Sequence, residues 1–312
     1  MSRIAFGGIS VIILILTICL FPEVAISGDS GICLPSPNNW KIPHFAGWLI
    51  GIALILLSAF LIASANKKYN FIPEAQPILP LSLLILVACN PLTSSHLSTS
   101  TLLLFCNVLC FFIIISTYEE RNATREFFII ATLPAIGAMV QYAFLVMVPV
   151  YLGAGLLMKS FRLREFIAFL LGLITPYWIG VGLGLISPFA FKLPDTLIII
   201  GKGTVENDIF LSLISAGIMV VAGFIFSLYN GVKLFSRNSR LRCIHMSFNL
   251  MGYVTIAAII FDFTNFAAYY STLCLWTAIQ LATFLHFYNI RRPQLALIVL
   301  LALFLTLYIL GI

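Results

Sequence analysis

FFIIATLPAIGAMVQYAFLVMVPVYLGAGLLM, residues 127–158, decides how this chain is threaded. It carries no charged residue, so water is not its natural surrounding. A helix that crosses a bilayer needs roughly 20 apolar residues, with about 17–25 usual. The stretch is too long for one crossing and short for two. Pro134, Gly137, Gln141 and Pro149 interrupt it. We expect a break near Gln141 and two helices, 127–141 and 143–158.

The flanking charges test that split. Lys and Arg beside membrane spans collect on the cytoplasmic side. With Arg3 inside, a double crossing at 127–158 returns the same side to Lys67 and Lys68, to Arg121 and Arg125, and to Lys159, Arg162 and Arg164. It also returns Lys233, Arg237, Arg240 and Arg242, and then Arg291 and Arg292. Fourteen of the 17 basic residues then lie inside, and only Lys41, Lys192 and Lys202 lie outside. A single crossing would reverse every later loop. The basic stretch Lys159–Glu165 therefore reads as a cytoplasmic turn.

Working outward, the apolar runs give eleven expected spans: 4–22, 46–65, 76–92, 99–117, 127–141, 143–158, 165–186, 209–231, 246–262, 268–287 and 294–311. The expected fold is all-α, one integral membrane domain over 1–312, with a cytoplasmic N-terminus and an exterior C-terminus. The first run resembles a signal peptide, but it is long for an h-region and lacks a clear small-x-small cleavage site. It is expected to be a retained helix.

Composition agrees. The 312 residues are 61% hydrophobic and 9% charged, against about 25% charged in an average soluble domain. A soluble globule so composed would lack polar surface to cover itself. Inside lipid the backbone must satisfy its own hydrogen bonds, which leaves helices or a closed barrel. The runs do not alternate as barrel strands do. The net charge of +6 does not indicate nucleic acid, because the basic residues are scattered among short turns. No metal or cofactor site is expected. Of the seven cysteines, Cys106 and Cys110 are four apart on one helix, but no further ligand is near in sequence, so packing is the expected role. Glycines at helical spacing, among them Gly47, Gly153, Gly180 and Gly184, are expected to let helices approach closely, and Pro149 and Pro176 to kink theirs.

Two exterior loops are long, 23–45 and 187–208. In the first, Glu23 and Asp29 are candidate catalytic carboxylates, able to act as a general base or to bind a cation. Lys192 and Lys202 in the second are candidate substrate-binding charges for a lipid pyrophosphate. His44 and Asp262 are candidate substrate-binding residues on the same face. Asp262 is the acid nearest a span interior, where an ionisable group is a functional candidate by default. The plainer alternative is that it caps a helix beside Asn265. No P-loop, GxGxxG, GxSxG or HExxH occurs.

YNFIPEAQPILP, ATLPAIGAMVQYAFLVMVPVYL, FRLREFIAFLLGLITPY and FYNIRRPQ together resemble a family of multi-pass inner-membrane proteins of Bacteroidota that has no established reaction. More distantly, the arrangement resembles membrane glycosyltransferases that use polyprenyl-phosphate sugars. That likeness implies an acidic motif in the first outer loop, which Asp29 or Glu23 would match. The expected role is cell-envelope biogenesis at the outer face of the bacterial inner membrane, on a lipid-linked or amphipathic substrate. The expected partners are membrane lipid, a polyprenyl-linked substrate and other envelope membrane proteins, with no nucleic acid. A non-catalytic subunit or scaffold of an envelope complex, and a small-molecule or lipid transporter, remain open.

Overall fold

The structure is a computed structural model. It describes residues 33–35, 37, 40, 42–72, 78–88, 90–94, 97–186, 207–235 and 238–288, with a few helical positions between 297 and 306. The described chain is helical, with no strand among the described residues. In order come α1 (His44–Tyr69), α2 (Ile78–Ala88), α3 (Pro91–Ser94), α4 (Thr99–Ser116), α5 (Thr124–Val140), α6 (Ala143–Val146), α7 (Val148–Leu157), α8 (Leu163–Gly182), α9 (Asn207–Leu234), α10 (Ser239–Phe261) and α11 (Phe266–Phe287). A short 3-10 turn, Phe263–Asn265, joins the last two. The expected spans 4–22 and most of 294–311 lie outside the described residues.

Five helices are long and apolar enough to cross a membrane: α1 from Phe45, α4, α8, α9 from Ser212, and α10. The largest exposed side chains on α8 and α9 are apolar, including Trp178 at 78% and Val232 at 77% exposure. In water such a surface would be a large liability. Against lipid tails it is the expected outer face. The protein is a multi-pass helical membrane protein.

Helix α11 inverts that pattern. It falls outside the group of five because Tyr269, Tyr270, Ser271, Thr272, Thr277, Gln280 and Thr283 lower its hydropathy. Yet it is buried on every face, packed among α2, α4, α9 and α10. Its polar groups are spent on neighbours. The Asn107 Nδ2 donates to Thr272 Oγ1 at 2.9 Å, the Ser271 hydroxyl donates to the Ser100 carbonyl, and Ser215 and Tyr270 share a hydrogen bond of 2.9 Å. Where lipid gives no hydrophobic drive between helices, such bonds and close packing hold the bundle together.

Trp276 is the centre of this packing. Its fully buried indole lies between Gly223 of α9 and Gly252 of α10, and a Cβ on either glycine would overlap the ring. Its Nε1–H donates to Asn249 Oδ1 at 3.2 Å. Gln280 Nε2 donates to the same oxygen at 2.7 Å, and Asn230 Nδ2 donates to Gln280 Oε1 at 2.9 Å. An indole N–H can only donate. It therefore orients Asn249, which orients Gln280, which orients Asn230. Asn230 Oδ1 is left buried with no partner.

The expected break at 127–158 is present. α5 stops at Val140, and Gln141 is extended at φ −155° and ψ 133°. The chain then turns so tightly that a Cβ at Gly137 would overlap the Phe144 ring. At the other end, Glu119 N–H donates to the Met158 carbonyl at 3.0 Å, and Lys159 Nζ lies 3.3 Å from Glu119 Oε1. The turn before α5 and the turn after α7 thus share one end of the bundle, so 124–157 goes out and returns. Pro149 does not kink a helix as expected. It sits in the first turn of α7, where its missing N–H costs nothing. α5 and α8 run parallel, and Thr132 Oγ1 donates to the Gly172 carbonyl at 3.3 Å. Gly172 has to be glycine, because a Cβ would overlap the Phe128 carbonyl.

Of the other expected packing glycines, Gly153 abuts Leu250 and Gly180 abuts Ile186, whereas Gly47 leaves room for a Cβ. Gly184 corrects the reading. It lies at φ +70° with open space around its Cα and ends α8, since Gly180 O accepts from Leu185 N–H at 3.0 Å. It is a left-handed cap and makes no close helix contact.

The two ends differ in charge. Every described Lys and Arg lies at the end that carries residues 67–68, 119–125, 159–164 and 233–242. Arg240 lies over the rings of Tyr69 and Tyr118, which ties those turns together. At the same end the Asn66 side chain holds Ile72 through both its N–H and its carbonyl, and His245 Nε2 lies 3.2 Å from the Phe71 carbonyl. Among the described charged residues, the opposite end holds Asp208, in the first turn of α9, and Asp262.

Candidate functional site

The candidate site is built where two interruptions meet at that acidic end. One is Gln141, between α5 and α6. The other is the turn Asp262–Asn265, between α10 and α11. At about 1.5 Å per residue, the 17 residues of α5 span roughly 25 Å, a little less than the ~30 Å hydrocarbon core. Gln141 follows the last residue of α5, at the end of that helix opposite the described Lys and Arg.

Asp262 follows the last residue of α10 as its C-terminal cap, with its own N–H on the Ala258 carbonyl at 2.8 Å. It is half-buried and lies outside both helices, at the place the plainer reading gave it. Its carboxylate is well supplied with donors. Asn265 Nδ2 donates to Oδ1 at 3.0 Å and Oδ2 at 3.2 Å, and the Tyr269 hydroxyl donates to Oδ2 at 2.8 Å. Asn265 Oδ1 in turn accepts from Gln141 Nε2 at 2.8 Å.

The carboxylate sets the direction of this chain. An ionised Asp accepts only, so Asn265 must present its NH2 group to it. Asn265 Oδ1 then faces Gln141 and demands a donor. Gln141 must present Nε2, and its own Oε1 points elsewhere. That oxygen is buried and has no partner, on a residue 1% exposed. An unmet buried acceptor costs about 1–3 kcal/mol. The cost is retained here in a segment whose helical hydrogen bonding is already interrupted.

Of the residues singled out from sequence, Asp262 belongs to this cluster. His44 opens α1. Glu23, Asp29, Lys192 and Lys202 lie outside the described residues, as does the loop body 187–206. Sequence reasoning noted Gln141 as a break and Asn265 as a neighbour of Asp262, but did not join them. It missed Tyr269. The available signal was that Gln141 is the sole amide in the uncharged run 127–158. Among the described residues no group of three or more His, Cys, Asp or Glu could hold a metal ion. Cys106 and Cys110 are buried in the core, with Cys110 Sγ facing the Ile130 carbonyl at 3.8 Å.

The fold and this cluster define a multi-pass helical membrane protein with a buried, acid-anchored polar chain at one end. No family model, no curated protein and no solved structure matches the chain.

Proposed function

We propose that this is a bacterial inner-membrane protein of the cell envelope that engages the polar end of an amphipathic or lipid-linked molecule at its exterior face. The observation that carries the reading is the unpartnered Gln141 Oε1 at the end of a chain anchored on Asp262. A buried acceptor kept open at the membrane edge suits a group that arrives with the lipid. The orientation follows from the positive-inside rule: the end holding the described Lys and Arg faces the cytoplasm, and Asp262 faces outward. Eleven spans with an interior N-terminus and an exterior C-terminus complete this threading.

In the catalytic version of this reading, suggested by the likeness to polyprenyl-phosphate-sugar glycosyltransferases, Asp29 or Glu23 serves as the base. Lys192, Lys202 and His44 then border the substrate. A second reading, transport of the bound molecule, is favoured by the broken crossing at Gln141, since interrupted helices mark substrate sites in transporters.

The test is mass spectrometry of lipids retained by the protein extracted directly into native-membrane nanodiscs. A retained species should be reduced in both Gln141→Leu and Asp262→Asn. Retention identical to that of the unaltered protein sinks the reading.

A further inference from the structure

We propose that the basic end carries a second binding site, formed by Arg240, Lys68 and Tyr69, and that it takes a phosphate group. The site lies at the end opposite Gln141 and does not depend on the reading given there. Three observations converge on it.

First, the open atoms ask for an acceptor. Arg240 Nε is buried with no hydrogen-bond partner, and the Tyr69 hydroxyl is likewise buried without one. A guanidinium can only donate. A ligand that satisfies its Nε–H has to bring an oxygen with a free lone pair, which an ammonium lacks.

Second, cations are gathered here without a paired acid. Arg240 Cζ lies 5.4 Å from the centre of the Tyr69 ring, and Lys68 Nζ lies 5.1 Å from the same centre. Arg240 also approaches the Tyr118 ring at 5.8 Å, and Lys68 the Phe112 ring at 5.6 Å. In the turn after Tyr118, Glu119 is taken by Lys159 and Glu120 is exposed. Among the described residues neither Arg240 nor Lys68 pairs with a carboxylate. A ring face draws a cation, but it does not supply the lone pair that an N–H in the guanidinium plane requires.

Third, Arg240 stands at the wrong end of its helix for its own charge. It follows Ser239 in the first turn of α10, with Arg242 just beyond, no acid in that turn and no side-chain cap from Asn238. A helix N-terminus favours anions, and its first N–H groups lack intrahelical acceptors. Lys67 and Lys68 need no such account, since they lie in the last turn of α1, where cations are favoured. An anion at Arg240 offsets both the guanidinium and the helix end. Donors on two helices suit a phosphate, whose tetrahedral oxygens fan out in more directions than the two of a planar carboxylate.

The experiment uses the full chain in phosphatidylcholine nanodiscs at constant ionic strength, with thermal unfolding as the readout. Phosphatidylglycerol, inorganic phosphate or oleate is added in turn. Phosphatidylglycerol should raise Tm, and oleate should not. A response to inorganic phosphate equal to that of the lipid supports the site and assigns it to a soluble source; a response to the lipid alone assigns it to the headgroup. Arg240→Gln should weaken apparent affinity about 10- to 100-fold, through loss of a charge-assisted bond. Arg240→Lys keeps the charge but loses the Nε–H, and it should weaken affinity as well. Lys68→Gln should also weaken it, and carries the test if the Arg240 variants do not fold. Arg162→Gln, which removes an exposed cation at the same end, should change nothing. No response to lipid or phosphate overturns the proposal, as does a response that survives both Arg240→Gln and Lys68→Gln. An equal loss in Arg162→Gln overturns it in favour of diffuse attraction, and an equal response to oleate overturns the choice of phosphate.

Discussion

Two buried amide chains run through this bundle, and each ends in an unpartnered oxygen. They differ in what starts them. In the core, the indole N–H of Trp276 orients Asn249, Gln280 and Asn230. At the acidic end, the carboxylate of Asp262 orients Asn265 and Gln141. The first starter is locked between Gly223 and Gly252, far from any chain break. The second lies at a turn, half-buried, and its last member sits on an interrupted helix. The same polar logic serves packing in one place and, in the proposed function, binding in the other, because only the second chain ends where a helix is interrupted.

That contrast is easiest to break at the core chain. Gly252→Val should give the largest loss, about 3 kcal/mol or more, because the added atoms overlap an indole that has no free side to move toward. Unfolding in detergent should show it; a Tm within a degree or two of the parent would mean that Trp276 is loosely held. Asn265→Leu should come next. It strands Gln141 Nε2 and removes two donors from Asp262, at about 2–3 kcal/mol. Gln280→Leu should cost about 1–2 kcal/mol through the Asn249 and Asn230 bonds, with no change in retained lipid. A lipid effect from that variant would erase the distinction between the two chains.

The smallest effect belongs to the basic end. There the Lys159 ammonium is raised above its ordinary range, first by its hydrogen bond to Glu119 and then by nearby negative charge. A raised value means that the contribution is present below the ordinary Lys range and is lost as pH rises through the raised value. Both side chains are more than half exposed, so solvent screens the pair. Lys159→Met should leave Tm unchanged at pH 7. A measurable drop would make this turn a structural latch between the α4–α5 and α7–α8 connections.

The apolar runs were legible because lipid contact leaves few residue types to choose from. The break at Gln141 was legible because an amide among charge-free residues is costly in lipid. Helix ends were less so. α10 begins at Ser239, so Arg240 and Arg242 lie within it although the apolar run starts later. A helix needs backbone bonds and no apolar side chains, and it continues past the hydrocarbon edge. The site itself was half legible. Asp262 stands out as an acid near a span, but Asn265, which links it to Gln141, lies 124 positions from that glutamine, and the link follows no periodicity. Tyr269 reads as one aromatic among many until the turn brings its hydroxyl to Asp262.

The placement of α11 has a consequence for how the protein is made. It is the least oily of the long described helices, a poor passenger for lipid on its own, and all four of its neighbours precede it in the chain. When it emerges during synthesis, the hydroxyls of Ser100 and Ser215 and the amide of Asn107 are already in the membrane to receive it. Translation order thus lets a polar segment bypass direct exposure to acyl chains, and moving α11 ahead of its neighbours by circular permutation should stall its insertion.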